Sequence, residues 1–533
     1  MALNTRLKVK LLKKGITIRR SEKHQYVYKV LSTFRTENGQ PTNTRRSIGK
    51  LDPESGLLIP NNAYWELYGD SEYVDEITPA IESVRSVGAT FLVTKILESL
   101  CVTEILKKVF GEVKAAAILT SVIYMVCRGN VFERIQDFCE ENTLKEAFLT
   151  SPNASVLFSS ITYKERMAFF KEWSSRHSTN GYLAYDVTSF STYATGIHDA
   201  EWGYNRDNDN LPQINLGCYV NQENKLPIFY VTYPGSIVDK SHLPYIMAYN
   251  KELGIGDVCF VMDKGFCTTD NIKHMHTEKL SYLISVDTSR KEIRSAIAEA
   301  REGIVSIRNV AAGGVYAKTV QSEIYGSMLT IHIYYDPVTA ERMRSQLYRN
   351  IDNQEKILSN LKLLTKQEAK RYRKYFDIKL SEDGSFSYEI NCNKIDELSR
   401  NCGFFCLLTN KEMDSKTALV LYRRKDVIEK GFDDIKNHID MKRLRTHNSS
   451  TTDGKLFCAF IALIAVSQMA NHLSDYMKEK SLSKDGLLSQ LEKIKVVLMT
   501  NGYRILNPIT KTQRLIFDAC GLDEDDLKNY VYG

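Results

Sequence analysis

Five short segments decide the fold: YLAYDVTS (182–189), QINLGCYV (213–220), LPIFYVTY (226–233), VCFVM (258–262) and YLISV (282–286). Each segment is an apolar run of strand length, rich in β-branched and aromatic residues. A polar turn at 221–224 joins the second and third segments, and helical patterns precede and follow the fourth. Three strands, a helix, a strand, a helix and a strand predict a mixed α/β sheet flanked by helices.

The first 50 residues of the chain are strongly basic. They contain thirteen Lys and Arg against two acids, Glu22 and Glu37, in a chain of 533 residues with a net charge of only +6. Alternating patterns and the Asn38-Gly39 turn predict strands in this region. Clustered positive charge is typical of polyanion binders, and a solvated basic arm is the alternative interpretation.

Cysteine spacing argues against a structural zinc protein, and hydropathy argues against a membrane-spanning protein. The eleven cysteines include no CxxC pair, which argues against a structural zinc site and is consistent with a reducing cytoplasm. The most apolar stretches, 115–126 and 456–466, are too short to span a bilayer. We therefore expect two buried helices, no membrane contact and a cytoplasmic location.

Two carboxylates occupy strands that we expect to be neighbours. Asp186 lies within the first apolar strand, and Asp263 directly follows the fourth. Each could be a paired structural acid. Two acids on adjacent strands are electrostatically unfavourable unless a cation lies between them, and hard oxygen ligands suit Mg²⁺ or Mn²⁺.

A third acid lies in the segment LYRRKDVIEKGFDDIK (421–436), which predicts a helix. Tyr422, Glu429 and Lys436 are spaced by seven residues, so that a continuous helix would place them on one face. The alternative is a surface helix on which Glu429 forms an ion pair with Lys425, four residues before it.

This segment resembles the Tyr-Arg-Glu-Lys pattern of a large group of bacterial insertion-sequence transposases. Tyr422, Glu429 and Lys436 match in register, whereas Lys425, beside Arg424, stands at the arginine position. Lysine keeps the charge but lacks the planar fork that binds a phosphate with two hydrogen bonds. YDVT (185–188) and VMDKG (261–265) are similar to the segments that carry the first and second aspartates of the family.

The resemblance implies a ribonuclease H-like DNA transposase of the cut-and-paste type. Asp186, Asp263 and Glu429 would be its catalytic acids and would hold two Mg²⁺ ions, with Mn²⁺ as a substitute. Tyr422, Arg424, Lys425 and Lys436 would bind DNA. The partners would be double-stranded DNA, both transposon inverted repeats and target, and a second copy of the chain in a homodimeric synaptic complex.

The pattern of predicted strands and helices sets the expected division of the chain, and the resemblance agrees with an insertion before the glutamate. We expect five parts: a basic β-rich module (1–85), a helical module that is a candidate for DNA binding (86–177), a first part of the catalytic core (178–287), an insertion before the glutamate (288–403), and a second part of the core with a helical C-terminal region (404–533).

Two other functions are compatible with these residues. A ribonuclease H-like nuclease that cuts without joining strands would share the three acids. A catalytically silent DNA-binding protein derived from a transposase is the other: the presence of all three acids argues against it, whereas Lys425 at the arginine position is compatible with it.

Overall fold

The computed structural model describes nine stretches of the chain: residues 9–11, 14–21, 24–36, 38–53, 55–68, 80–143, 146–177, 181–207 and 209–533. Glu22, Glu37 and the first eight residues of the basic region lie outside the described residues.

The described residues form strands in chain order: β1 (Ile16–Arg20), β2 (Gln25–Arg35), β3 (Pro41–Leu51), β4 (Leu58–Pro60), β5 (Ile81–Ser86), β6 (Tyr182–Ser191), β7 (Gln213–Asn221), β8 (Pro227–Pro234), β9 (Cys259–Met262), β10 (Ser281–Val286), β11 (Tyr316–Ile324), β12 (Ser327–Tyr335), β13 (Phe376–Leu380), β14 (Phe386–Ile390), β15 (Phe404–Thr409), β16 (Lys495–Met499) and β17 (Arg504–Leu506).

The α-helices among the described residues are, in chain order, α1 (Asn62–Tyr68), α2 (Gly88–Ser99), α3 (Val102–Arg128), α4 (Ile135–Glu141), α5 (Ser151–Ser160), α6 (Tyr163–His177), α7 (Asp239–Leu253), α8 (Thr269–Thr277), α9 (Lys291–Arg301), α10 (Pro337–Asn360), α11 (Lys366–Tyr372), α12 (Cys392–Asn401), α13 (Ser415–Arg423), α14 (Asp426–Asp433), α15 (Ser449–Lys480), α16 (Lys484–Leu491), α17 (Lys511–Ala519) and α18 (Glu524–Tyr532).

An eight-stranded sheet organises the larger of two compact units, which comprises residues 92–139 and 144–487. Its strand order is β11-β12-β15-β10-β9-β6-β7-β8. β9 pairs in parallel with β6 and β10, and the other pairs are antiparallel. The predicted mixed sheet, with its order of three strands, a helix, a strand, a helix and a strand, is confirmed.

The centre of this sheet is buried because helices contact several of its strands. Every residue of β7 is buried, as expected for a strand covered on both faces. α6 and α15 pack against β8, and α14 packs against β6 and β7. On β9 and β10, α13 packs its apolar residues, among them Ala418 and Leu421, against Val261 and Leu283. The packing of α14 against the sheet therefore stabilises the region that carries the candidate acids.

The predicted insertion contains two different structures. β11 and β12 continue the main sheet beyond β15. The helices α10, α11 and α12 pack with the β13–β14 hairpin around a separate small core that includes Leu358, Phe376 and Ile395.

The smaller compact unit comprises residues 1–91, 140–143 and 488–533. Its described part contains the antiparallel sheet β1-β2-β3-β4, which packs around Val27, Ile48, Leu58 and Tyr64. A second sheet, β17-β16-β5, joins the C-terminal residues to the strand at Ile81–Ser86.

Among the described residues, α3 and α15 are long and apolar enough to cross a membrane by length and composition alone. In their most apolar windows, 61% and 72% of the residues are buried inside the protein. Every residue from 456 to 466 is buried. The expectation that the apolar stretches are too short to span a bilayer is therefore wrong for the helices that contain them, because α3 and α15 are longer than those stretches. Their burial is that of core helices, as the sequence predicts.

Candidate active site

Asp186 lies in the middle of β6, between β7 and β9. Its side chain is 19% exposed, and its Oδ1 atom accepts a hydrogen bond of 2.8 Å from the backbone N–H of Val187. Burial raises the pKa of Asp186, and the positive charge of Lys425 opposes that rise. A nearby cation therefore stabilises the ionised form of this carboxylate.

Asp263 directly follows β9 and lies beside Asp186. The parallel register pairs Ala184 with Val261, so that the residue two positions further along each strand is an aspartate. The side chain of Asp263 is 39% exposed, and its Oδ1 atom accepts a hydrogen bond of 2.9 Å from the Tyr422 hydroxyl. The two adjacent strands therefore bring the two carboxylates together.

Glu429 comes from α14, the helix that packs against β6 and β7. All three predicted acids converge on one atom, the ammonium nitrogen of Lys425. Its Nζ atom is 2.9 Å from Glu429 Oε1, 3.1 Å from Asp263 Oδ2 and 3.6 Å from Asp186 Oδ2. We call these three acids the triad.

The Lys425 side chain is only 5% exposed, whereas that of Glu429 is 60% exposed. Burial by itself lowers the pKa of Lys425, but the carboxylates of Asp186, Glu429 and Asp263 more than offset this effect and hold the pKa above its usual value. Lys425 is therefore a buried cation that three carboxylates stabilise.

The triad has the donor chemistry of a magnesium site. Carboxylate oxygens are the ligands that Mg²⁺ and Mn²⁺ prefer, and the three side chains already surround one cationic point. Within the part of the chain that the structure describes, no group of three His, Cys, Asp or Glu side chains has a ready-made metal-binding arrangement. The triad fits a divalent ion in chemistry, with Lys425 at the point where the carboxylates meet.

Two of the four predicted DNA-binding residues contact the triad: Lys425, through all three acids, and Tyr422, through Asp263. Burial, together with the nearby negative charge of Asp263, raises the pKa of Tyr422 to about 12. The hydroxyl therefore stays protonated near neutral pH and donates its hydrogen bond to Asp263.

The helix bearing Glu429 is not continuous, in contrast to the prediction. α13 ends at Arg423, α14 begins at Asp426, and the residues Asp434–His438 form a π-helix. A π-helix changes the number of residues per turn and shifts the register of the side chains that follow. The spacing by sevens therefore does not decide the direction of Lys436.

The other two predicted DNA-binding residues do not meet the triad. The Lys436 ammonium lies 3.0 Å from Asp207 Oδ2, and both side chains are largely buried, at 12% and 15% exposed. Arg424 is exposed and lines a different groove of about 830 Å³, together with Lys225, Lys430 and Lys484.

Sequence reasoning missed three basic residues beside the acids. Asp186 and Asp263 line a cleft of about 670 Å³ together with Arg206, Lys240 and Lys264. Lys264 follows Asp263 directly in the sequence, a signal that could have identified it. Arg206 lies on the connection between β6 and β7, and Lys240 lies in the first turn of α7, so that only the fold reveals their proximity.

Comparison with known proteins identifies the fold unit that carries the triad. A family model described as the transposase DDE domain matches residues 178–465. No curated protein matches the chain. Among solved structures, the piggyBac transposase in a synaptic complex with hairpin DNA is similar, with 11% identity, a TM-score of 0.35, and coverage of 84% of this chain and 83% of that one.

Proposed function

Because the chain belongs to the transposase DDE domain family, we propose that it is a DNA transposase that cuts DNA at transposon ends and joins the cut ends to target DNA. The convergence of Asp186, Asp263 and Glu429 on one buried cationic point carries this proposal. The match of Tyr422, Glu429 and Lys436 to the Tyr-Arg-Glu-Lys pattern supports a place among bacterial insertion-sequence enzymes.

We propose that the three carboxylates hold Mg²⁺, with Mn²⁺ as a substitute and two ions as the full complement. The bound metal would activate a water molecule and stabilise the charge that develops on the scissile phosphate. Asp186 on β6, Asp263 after β9 and Glu429 on α14 would together hold these ions through their carboxylate oxygens. Tyr422 would hold Asp263 in position through its hydrogen bond.

The basic residues of the cleft would bind the DNA backbone. Arg206, Lys240 and Lys264 line the same cleft as Asp186. The Nη2 atom of Arg206 lies 2.6 Å from Asp239 Oδ2. Cations at these positions would attract phosphates and orient the scissile bond without reading the base sequence. We propose that sequence readout of the inverted repeats comes from another part of the chain, such as the basic β-rich module of residues 1–85.

The assembly and location follow from this function. Joining two transposon ends requires two active sites, so that a homodimer on DNA is the proposed synaptic complex. The proposed location is DNA-associated in the cytoplasm of a prokaryote.

One observation favours a second candidate function. Lys425 places an ammonium at the point where the triad carboxylates meet. A catalytically silent DNA-binding protein descended from a transposase could retain such a lysine permanently, because its carboxylates would no longer need a metal.

Cleavage and joining assays separate these candidates. The substrate is a plasmid that carries the genomic DNA from both sides of the gene, in Mg²⁺ and then in Mn²⁺. We expect wild-type protein to cut at the ends and to join them to a second plasmid. Asp263→Asn should abolish both reactions but retain DNA binding.

Asp426→Asn is the matched control, because Asp426 lies on α14 but pairs with the exposed Lys430 rather than with Lys425. It should cut as the wild type does. Cleavage by Asp263→Asn at the wild-type rate would disprove the triad. Binding without metal-dependent cleavage in the wild type would favour the silent protein, and cutting without joining would favour a nuclease.

A further inference from the structure

Lys425 has contacts that an ordinary helical ion pair does not have. A pair between residues four apart on a helix surface is usually solvated and weak. The neighbouring pair Lys430–Asp426 has that character, with side chains 73% and 56% exposed. Lys425 is 5% exposed and contacts carboxylates from a strand, a strand end and a helix.

The same ammonium cannot share its position with a divalent ion. A lysine ammonium has three donors and no lone pair, so that it cannot serve as a metal ligand. A positive charge at the convergence point would also repel a second cation in a poorly solvated site. Metal binding at the triad therefore requires Lys425 to leave that point.

Without any cation, the three carboxylates would repel one another across a partly buried site. One ammonium compensates one of their three negative charges, and a divalent ion would compensate two. Both cations therefore reduce the repulsion among the three carboxylates, and the divalent ion reduces it further.

We propose that Lys425 is an internal counter-ion that holds the triad together in the metal-free protein and is exchanged for the divalent ion. Lys425 is thus a positioning residue whose ammonium competes with the metal. This inference rests on the proposed function, because it takes the triad as the metal site.

The first experiment measures Mn²⁺ binding by isothermal titration calorimetry and by the loss of the free-ion electron paramagnetic resonance signal. The variants are Lys425→Met, which removes the competing charge, and Lys430→Met, the matched control on the same helix. Metal binding to the wild type must break a charge-assisted hydrogen bond of Lys425, which Lys425→Met lacks. We therefore expect Lys425→Met to bind Mn²⁺ at least about tenfold more tightly than the wild type does. Lys430→Met should bind as wild type does.

Thermal denaturation of the same variants provides a second readout. Without metal, Lys425→Met should unfold at a lower temperature than Lys430→Met, because its triad has lost its counter-ion. Saturating Mn²⁺ should raise the unfolding temperature more for Lys425→Met than for wild type. Equal or weaker Mn²⁺ binding by Lys425→Met would overturn the proposal.

A third measurement uses wild-type protein and does not depend on the folding of a variant. Acetic anhydride labels accessible amines, and peptide mass spectrometry reports the labelling of each lysine. We expect Lys425 to be protected without metal and to become reactive in saturating Mn²⁺, whereas the labelling of Lys430 should not change. Continued protection of Lys425 in saturating Mn²⁺ would refute the exchange.

Mn²⁺ binding distinguishes a failure of the lysine exchange from a failure of the proposed function. If wild type and Lys425→Met bind Mn²⁺ equally, and Asp186→Asn abolishes that binding in both, the exchange is wrong and the metal site remains. If neither protein binds Mn²⁺ at the triad, the proposed function itself is wrong.

Discussion

Lys436→Met removes the ammonium that pairs with Asp207 inside the larger unit. The two charged atoms are 3.0 Å apart, and their side chains are 12% and 15% exposed. The variant leaves Asp207 with an uncompensated charge in a poorly solvated position. Breaking a buried pair by removing one partner costs about 3–5 kcal/mol. We expect the lower end, about 3 kcal/mol of unfolding free energy, because some solvent reaches both groups.

Urea unfolding followed by tryptophan fluorescence measures this loss. Trp173 is fully buried in the same unit, and its indole N–H donates to the Pro227 carbonyl at 2.9 Å, so that its emission reports local unfolding. Lys251→Met is the matched control, because Lys251 also lies 3.0 Å from its partner but is 86% exposed. It should cost less than about 1 kcal/mol.

The double variant Lys436→Met/Asp207→Leu completes the test. Removing both charges should recover most of the stability that the single variant loses, because no unpaired carboxylate remains. If Lys436→Met were as stable as wild type but bound DNA more weakly, the structural pairing would be wrong. Lys436 would then be the free phosphate-binding residue that the sequence resemblance implies.

Three further changes test other parts of the structure. Tyr422→Phe removes the hydroxyl that donates to Asp263 and should slow DNA cleavage about tenfold in a time course. Gly454→Ala would place a Cβ atom 2.0 Å from the Phe158 carbonyl oxygen, and the resulting separation of α15 from α5 should lower the unfolding free energy by about 1–3 kcal/mol in urea denaturation. Burial lowers the pKa of His332 to about 4, against about 6.5 in an unfolded chain, so that the unfolded chain binds more protons between these values and folded stability falls as the pH drops from 6.5 to 4. His332→Asn should lose less stability than wild type over that interval, and equal losses would show that His332 does not contribute.

The main sheet was predictable because its strands are encoded locally. Continuous apolar runs and turn residues mark β6 to β10, and their order along the chain constrains how they pair. The same local patterns predict that Asp186 and Asp263 are carried by neighbouring strands, and β6 and β9 are paired in the sheet.

Other features depend on contacts that no local pattern encodes. β16 pairs with β5, about 410 residues earlier in the sequence, and neither strand pattern indicates its partner. β11 and β12 join the main sheet through β15, although the sequence predicts only an insertion. Long-range pairing of this kind depends on the packing of the whole unit.

Local sequence patterns also fail to predict some side-chain contacts of the site. Local spacing predicts a Lys425–Glu429 ion pair, and that pair is present at 2.9 Å. Local spacing cannot indicate that Asp186 and Asp263 reach the same ammonium, because that contact depends on how α14 packs against the sheet. The π-helix at Asp434–His438 likewise redirects Lys436 in a way that a regular helical period does not anticipate.

Asp186, Asp263 and Glu429 are proposed to hold divalent metal ions. Diffraction at the manganese absorption edge, from crystals equilibrated with Mn²⁺, would locate these ions. We expect anomalous density within bonding distance of oxygens from the three carboxylates, with the Lys425 ammonium displaced from its contacts with them. No anomalous density at the triad in saturating Mn²⁺, with Lys425 still in contact with the three acids, would show that the triad does not hold the metal.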